Sequence, residues 1–129
     1  MVGAVPFLGT GYGTVMRNVA KILAEKHTVM MSCDGWYGSL TRFKDYSILP
    51  MQVSTLGGVK IPHSIAVTYQ IRKYQPEAVL TVGDIFIWKK LEENIRIGKK
   101  KSSKCPWIAY FPVDGSPLPS GFKDIIDKV

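Results

Sequence analysis

Hydrophobic positions along the chain alternate between short β-rich runs and longer stretches with helical spacing. Val2 to Leu8 is a short apolar run ending in glycines, which predicts a buried first strand. Val15, Val19 and Ile22 then recur at helical intervals, with Met16, Ala20 and Leu23 as a second row beside them. Arg17, Asn18, Lys21 and Glu25 fall on the other side, so residues from about 13 to 26 form an amphipathic helix. Thr28 to Cys33 predicts a second strand and Tyr46 to Met51 a third. Pro62 suits the first turn of a helix, Val67, Ile71 and Tyr74 continue it, and Pro76 ends it. Ala78 to Val82 is a fourth strand bounded by Gly83. Asp84 is then an N-cap candidate for a helix whose Trp88, Leu91 and Ile95 share a face. Trp107 to Phe111 is a fifth strand, and Phe122, Ile125, Ile126 and Val129 space a last short helix.

Strands interleaved with helices imply βαβ units and a parallel sheet, with right-handed crossovers. The expected fold is therefore α/β: a single domain built on a doubly wound, Rossmann-like parallel sheet of five strands in the order 3-2-1-4-5. Its 129 residues suffice for one core without staples. Hydrophobic residues at 46% and charged residues at 21% exclude a disordered or fibrous chain. Two cysteines, Cys33 and Cys105, are too few for a disulfide framework and read as reduced thiols. No Cys-x-x-Cys pair or histidine cluster marks a metal site, so neither a metal nor another cofactor is expected. No apolar run approaches a membrane span, and the N-terminus lacks a basic leader, which points to the cytoplasm. A formal net charge of +7 suits an anionic partner, whether nucleic acid, an acidic membrane surface or a phosphorylated ligand. The run Lys99-Lys100-Lys101-Ser102-Ser103-Lys104 reads as a solvated loop, with peripheral contact to anionic lipid as its functional alternative.

In open α/β sheets ligands bind beyond the carboxyl ends of the strands. Gly9-Thr10-Gly11-Tyr12-Gly13 falls there, between strand one and helix one. Its glycines allow close backbone approach, and the helix start behind them suits a phosphate. It is neither a Walker loop nor the dinucleotide fingerprint, whose third glycine comes one residue later. Gly83-Asp84 and the proline-stiffened segment Phe111-Pro112-Val113-Asp114-Gly115-Ser116-Pro117-Leu118-Pro119 fall at the same edge. Asp84 reads as a helix cap or a ligand contact, and Asp114 as a turn former or a positioning or general-base group. Trp36 and Tyr37, flanked by Gly35 and Gly38, offer faces for a sugar or base, or simply cover the core. His63, in a helix's first turn behind Gly57-Gly58, points into the cleft or lies at the surface.

Gly11-Tyr12-Gly13-Thr14-Val15 leading into Arg17-Asn18-Val19-Ala20, then His27-Thr28-Val29, resembles the opening of GT-B glycosyltransferases of the family 4 type. Ala78-Val79-Leu80-Thr81-Val82-Gly83-Asp84 and Trp107-Ile108-Ala109-Tyr110-Phe111-Pro112-Val113-Asp114-Gly115 are similar to the fourth and fifth strands of the same domain. The likeness runs in order over nearly all of residues 1–129. It implies the N-terminal, acceptor-side half of a retaining enzyme that moves a sugar from a nucleotide sugar to a sugar or lipid-linked acceptor. Gly11, Tyr12 and Gly13 would line the cleft near the donor's phosphates, with Asp84, Trp36 and His63 as further contacts. Many members carry a histidine at the end of the fifth strand. The nearest position here is Pro112, which leaves Asp114, two residues on, as the catalytic candidate. The donor domain of such enzymes is absent from the 129 residues, so a second domain, a partner chain or a second copy would complete the cleft. Two other readings stay open. One is a dinucleotide-binding module, with Asp34 at the end of strand two to meet a ribose hydroxyl. The other is a basic, non-enzymatic module for nucleic acid.

Overall fold

The computed structural model describes residues 1–51, 62–84, 90–98, 105–113 and 120–127. Its elements are β1 (Val2–Gly3), α1 (Gly11–Ala24), β2 (Met30–Cys33), β3 (Thr41–Arg42), β4 (Ser47–Leu49), α2 (His63–Tyr74), β5 (Val79–Val82), α3 (Leu91–Gly98), β6 (Trp107–Tyr110) and α4 (Ser120–Ile126). Among the described residues the sheet has six strands, in the order β3-β4-β2-β1-β5-β6. Every neighbouring pair is parallel except β3 with β4. The α/β class and the mostly parallel sheet match the expectation, whereas the strand count and the complete order do not. The five expected strands keep their relative positions, and β3 adds a sixth at the edge. It is a two-residue arm of a hairpin, closed where Phe43 N–H donates to Tyr46 O at 2.8 Å. Two residues are too few to carry an alternating pattern.

Strand one is also shorter than its apolar run. Pro6 has no N–H to give a ladder, and Leu8 N–H turns back to Val5 O at 3.2 Å. Val5 is nonetheless buried, so the run marks core and not strand length.

Alternation along the strands divides the core between two faces. Met31, Cys33, Ile48 and Val82 pack under α1 with Met16 and Ala20. Val2, Val79 and Trp107 pack on the other face with Val67 and Ile71 of α2 and Leu91 and Ile95 of α3. Of the two rows on α1, Met16 and Ala20 are fully buried whereas Ile22 is 68% exposed, so the second row faces the sheet. Met16 lies over Gly3, where an added Cβ would stand 3.1 Å from its sulfur and 2.5 Å from Val82 O. On the second face the buried Trp107 Nε1 donates to Thr81 Oγ1 at 3.1 Å. Neither cysteine is in a disulfide; Cys33 is buried, and the half-buried Cys105 donates from Sγ to Pro76 O at 3.4 Å. On the α1 side of β6, Ile108 and Tyr110 remain about half exposed. Among the described residues no helix is long and apolar enough to cross a membrane.

α2 and α3 are held close by two side-chain choices. Gln75 caps α2 in the left-handed conformation, φ 48°, and its Nε2 donates to Gly98 O at 2.9 Å. A Cβ on Gly98 would lie 2.7 Å from Ile71 Cγ2 and 3.0 Å from Thr68 O. Gly98→Ala normally favours a helix, but here the contact reverses the sign. The variant should lose about 1–3 kcal/mol in urea unfolding, and a gain in stability would show that the helices can part at little cost.

Candidate functional site

α1 and α2/α3 lie on opposite faces, so the chain leaves β1 toward one side of the sheet and β5 toward the other. The ends of these two adjacent parallel strands are thus a topological switch point, where this kind of sheet opens a crevice. The structure brings Tyr12 and Asp84 together there. Tyr12, in the first turn of α1, donates its hydroxyl proton to Asp84 Oδ1 at 2.5 Å. Gly83 sets up the approach: its φ of 151° is available to glycine, and its N–H donates to Tyr110 O at 3.1 Å.

The glycine turn is organised from within. Thr10 is the N-cap, and its Oγ1 accepts from Gly13 N–H at 3.1 Å. Gly13 has no room for a side chain, since a Cβ would come within 2.6 Å of Leu8 O and 2.8 Å of Val5 O. Its glycine is a requirement of the fold. Gly11 is different: it is exposed, and nothing lies within 4 Å of an added Cβ. The first turn of α1 contains no acidic residue to offset the positive end of the helix dipole. Gly11 is thus an open position in this turn.

The remaining sequence candidates lie elsewhere. His63 opens α2 and sits against β2, with Nε2 3.1 Å from Ser32 Oγ. Burial lowers its pKa, while the nearby Asp34 carboxylate and the bond to Ser32 oppose that shift. Trp36 covers the edge of the α1-side core, as in the packing alternative. Gly38 lies against its ring, and Phe7 meets it edge-on with centroids 5.5 Å apart. Asp114 and Trp88 lie outside the described residues, as do Gly57, Gly58 and the lysine run. The helix expected behind Asp84, with Trp88, Leu91 and Ile95 on one face, is described from α3 onward, where Leu91 and Ile95 are buried together; residues 85–89, which would join it to Asp84, lie outside the described residues.

Three further features escaped the sequence. The partnership of Tyr12 with Asp84 joins residues far apart in the chain, and no local signal announces it. Ser32 reads as a strand serine until α2 brings His63 onto it. Gln70 lines a cavity of about 60 Å³ between α2 and the sheet and keeps its Oε1 buried without a hydrogen-bond partner. Among the described residues no group of three or more His, Cys, Asp or Glu side chains is placed to hold a metal ion. Comparison with family models, with curated proteins and with solved structures finds no match for the chain.

Proposed function

We propose that the chain is the N-terminal, acceptor-side Rossmann-like half of a retaining glycosyltransferase, working from a nucleotide-sugar donor with a second domain or partner chain. The observation that carries this reading is the Tyr12–Asp84 hydrogen bond at the switch point. It joins the two segments that resemble the cleft-lining motifs of that family, the glycine turn and Gly83-Asp84. In this scheme Gly11 admits the donor's phosphate to the start of α1, and the Asp84 carboxylate fixes Tyr12 at the rim. Asp114 would hold an acceptor hydroxyl or stabilise positive charge developing on the sugar.

Nucleotide binding is followed through the backbone amide resonances of the chain. Uridine- and guanosine-diphosphate sugars should shift Gly11, Tyr12, Gly83 and Asp84, and Gly11→Val should weaken the effect by about tenfold or more. Shifts produced instead by a nicotinamide dinucleotide, extending to Asp34, would replace this reading with the dinucleotide module. In the assembled enzyme Asp114→Asn should leave nucleotide binding in place and lower transfer by a factor on the order of 10². Unchanged transfer would reduce Asp114 to a turn former.

A further inference from the structure

Four aromatic rings meet on the α1 side of the sheet, contributed by three separate segments. Phe7 follows β1, Trp36 follows β2, and Phe43 and Tyr46 flank the β3–β4 turn. Phe7 lies 5.5 Å from Trp36 and 6.5 Å from Phe43, and Phe43 lies 5.0 Å from Tyr46, all between centroids. Trp36 and Tyr46 are the inner members and pack on the α1-side core. Phe7 and Phe43 are the outer members, 51% and 44% exposed; Leu8, which follows Phe7, and Leu40, which precedes β3, are exposed to a similar degree. A soluble surface rarely gathers this much apolar side chain in one place without a partner.

The charge around the rings selects the partner. Arg42 and Lys44 bracket Phe43 and are exposed, and no ion pair holds either among the described residues. Arg17 donates to Pro6 O at 3.3 Å, next to Phe7, and its charge reaches Tyr46. Asp45 is the acid within the turn, and the chain as a whole carries +7. Aromatic and leucine side chains rimmed by cations match a bilayer surface, where rings enter the headgroup boundary and cations meet anionic headgroups. The rings are edge-on or tilted to one another, and Gly38 lies against Trp36, so they do not form the row of free faces that stacked nucleic-acid bases require.

We infer that the surface formed by Phe7, Leu8, Leu40, Phe43 and the cations Arg42 and Lys44 docks peripherally on a membrane containing anionic lipid. This inference stands apart from the glycosyltransferase reading, because it uses neither the glycine turn nor Asp84. It also assigns the contact to the β3–β4 hairpin and the β1–α1 loop, not to the lysine run at residues 99–104.

The test is vesicle co-sedimentation of the 129-residue chain. Vesicles are phosphatidylcholine alone or phosphatidylcholine with one third phosphatidylglycerol. The chain should sediment with the mixed vesicles and not with the neutral ones. Two double variants should each lose binding by at least about tenfold: Phe7→Ser with Phe43→Ser, and Arg42→Glu with Lys44→Glu. The charge pair is exposed, so it tests the surface even if the aromatic pair disturbs folding, which circular dichroism monitors. Changing Lys99, Lys100, Lys101 and Lys104 to glutamine should alter binding by no more than about twofold. The inference is overturned if the anionic vesicles fail to bind, if both double variants bind like the parent, or if loss is confined to the lysine variant. It is equally overturned if the double variants abolish binding to a single-stranded oligonucleotide, or a concentration-dependent dimer, while vesicles do not bind. Nucleotide-sugar shifts at Gly11 would survive any of these outcomes, so the two readings fail separately.

Discussion

Gly13→Val is expected to cost on the order of 3 kcal/mol of stability or more, a large part of what a domain of this size possesses. The variant pushes a Cβ to within 2.6 Å of Leu8 O and 2.8 Å of Val5 O, both backbone atoms of the turn that delivers the chain into α1. Neither can yield without moving the end of β1 or losing the bond that Gly13 N–H donates to Thr10 Oγ1. β-Branching adds two further methyl groups to the same space. Gly11→Val is the matched control, since nothing stands within 4 Å of its Cβ. It should stay within about 0.5 kcal/mol of the parent, as exposed substitutions usually do. Urea unfolding of the two variants decides the matter. If Gly13→Val unfolds at the parent's midpoint, the turn has slack and its glycine serves a ligand. If it unfolds early, only Gly11→Val is a fair probe of phosphate binding.

Acidification from pH 8 to pH 6 should remove about 2 kcal/mol of stability from a chain that begins with a free amine at Met1. That amine is buried and donates to Met30 O at 2.6 Å. Desolvation lowers its pKa from 8.0 to about 6, only partly opposed by Cys33. As pH falls below 8 the unfolded chain takes up a proton that the folded chain refuses until about 6, so the unfolded state gains. The contribution is fully present above pH 8, declines through this window and is gone below it, at ~1.4 kcal/mol per pH unit. His63 acts in the same direction below its ordinary value of 6.5, because burial lowers its pKa too. The alkaline side slopes the other way. Burial pushes the Cys33 thiol up to about 12 from 9.0, so above pH 9 the unfolded chain releases a proton that the folded chain keeps. Stability should therefore peak between about pH 8 and 9. Urea midpoints across pH 5 to 10 give the curve. Acetylating the amine should flatten the slope between 8 and 6, leaving the smaller part due to His63. A flat acid limb in the unmodified chain would mean that the amine reaches water.

Much of the fold was legible because its signals are local. The β-branched run at Val79–Val82, the short run at Met30–Cys33 and the spacing of Met16 with Ala20 each announce an element within a few residues. Long-range facts were not legible. Helix one carries two adjacent apolar rows, and it is the packing of Met16 and Ala20 against distant strand residues that leaves Ile22 outward. Trp36 offered a stacking face on paper, but Phe7, distant in sequence, and Gly38 occupy its surroundings. The glycine turn was recognised while the purpose of its third glycine was not, because a backbone collision with Leu8 and Val5 leaves no mark in composition. Thr10 followed by Gly13 was the one available hint, as a threonine three residues ahead of a helical N–H is a capping pattern.

The sheet order also fixes a sequence of events during synthesis. β1 leaves the ribosome first, yet it lies in the middle of the sheet, with Val2 paired to Ser32 on one side and to Thr81 on the other. One flank can close as soon as β2 has emerged. The other stays open until Thr81 and Val82 exist, long after β2 has emerged. For that interval the nascent chain presents an unpaired strand edge, and Tyr12 waits for an Asp84 that has not yet been translated. Non-local parallel pairing of this kind folds slowly and is exposed to misassociation. The position of two short residues, Val2 and Gly3, thus makes completion of the core a late event in the life of each molecule.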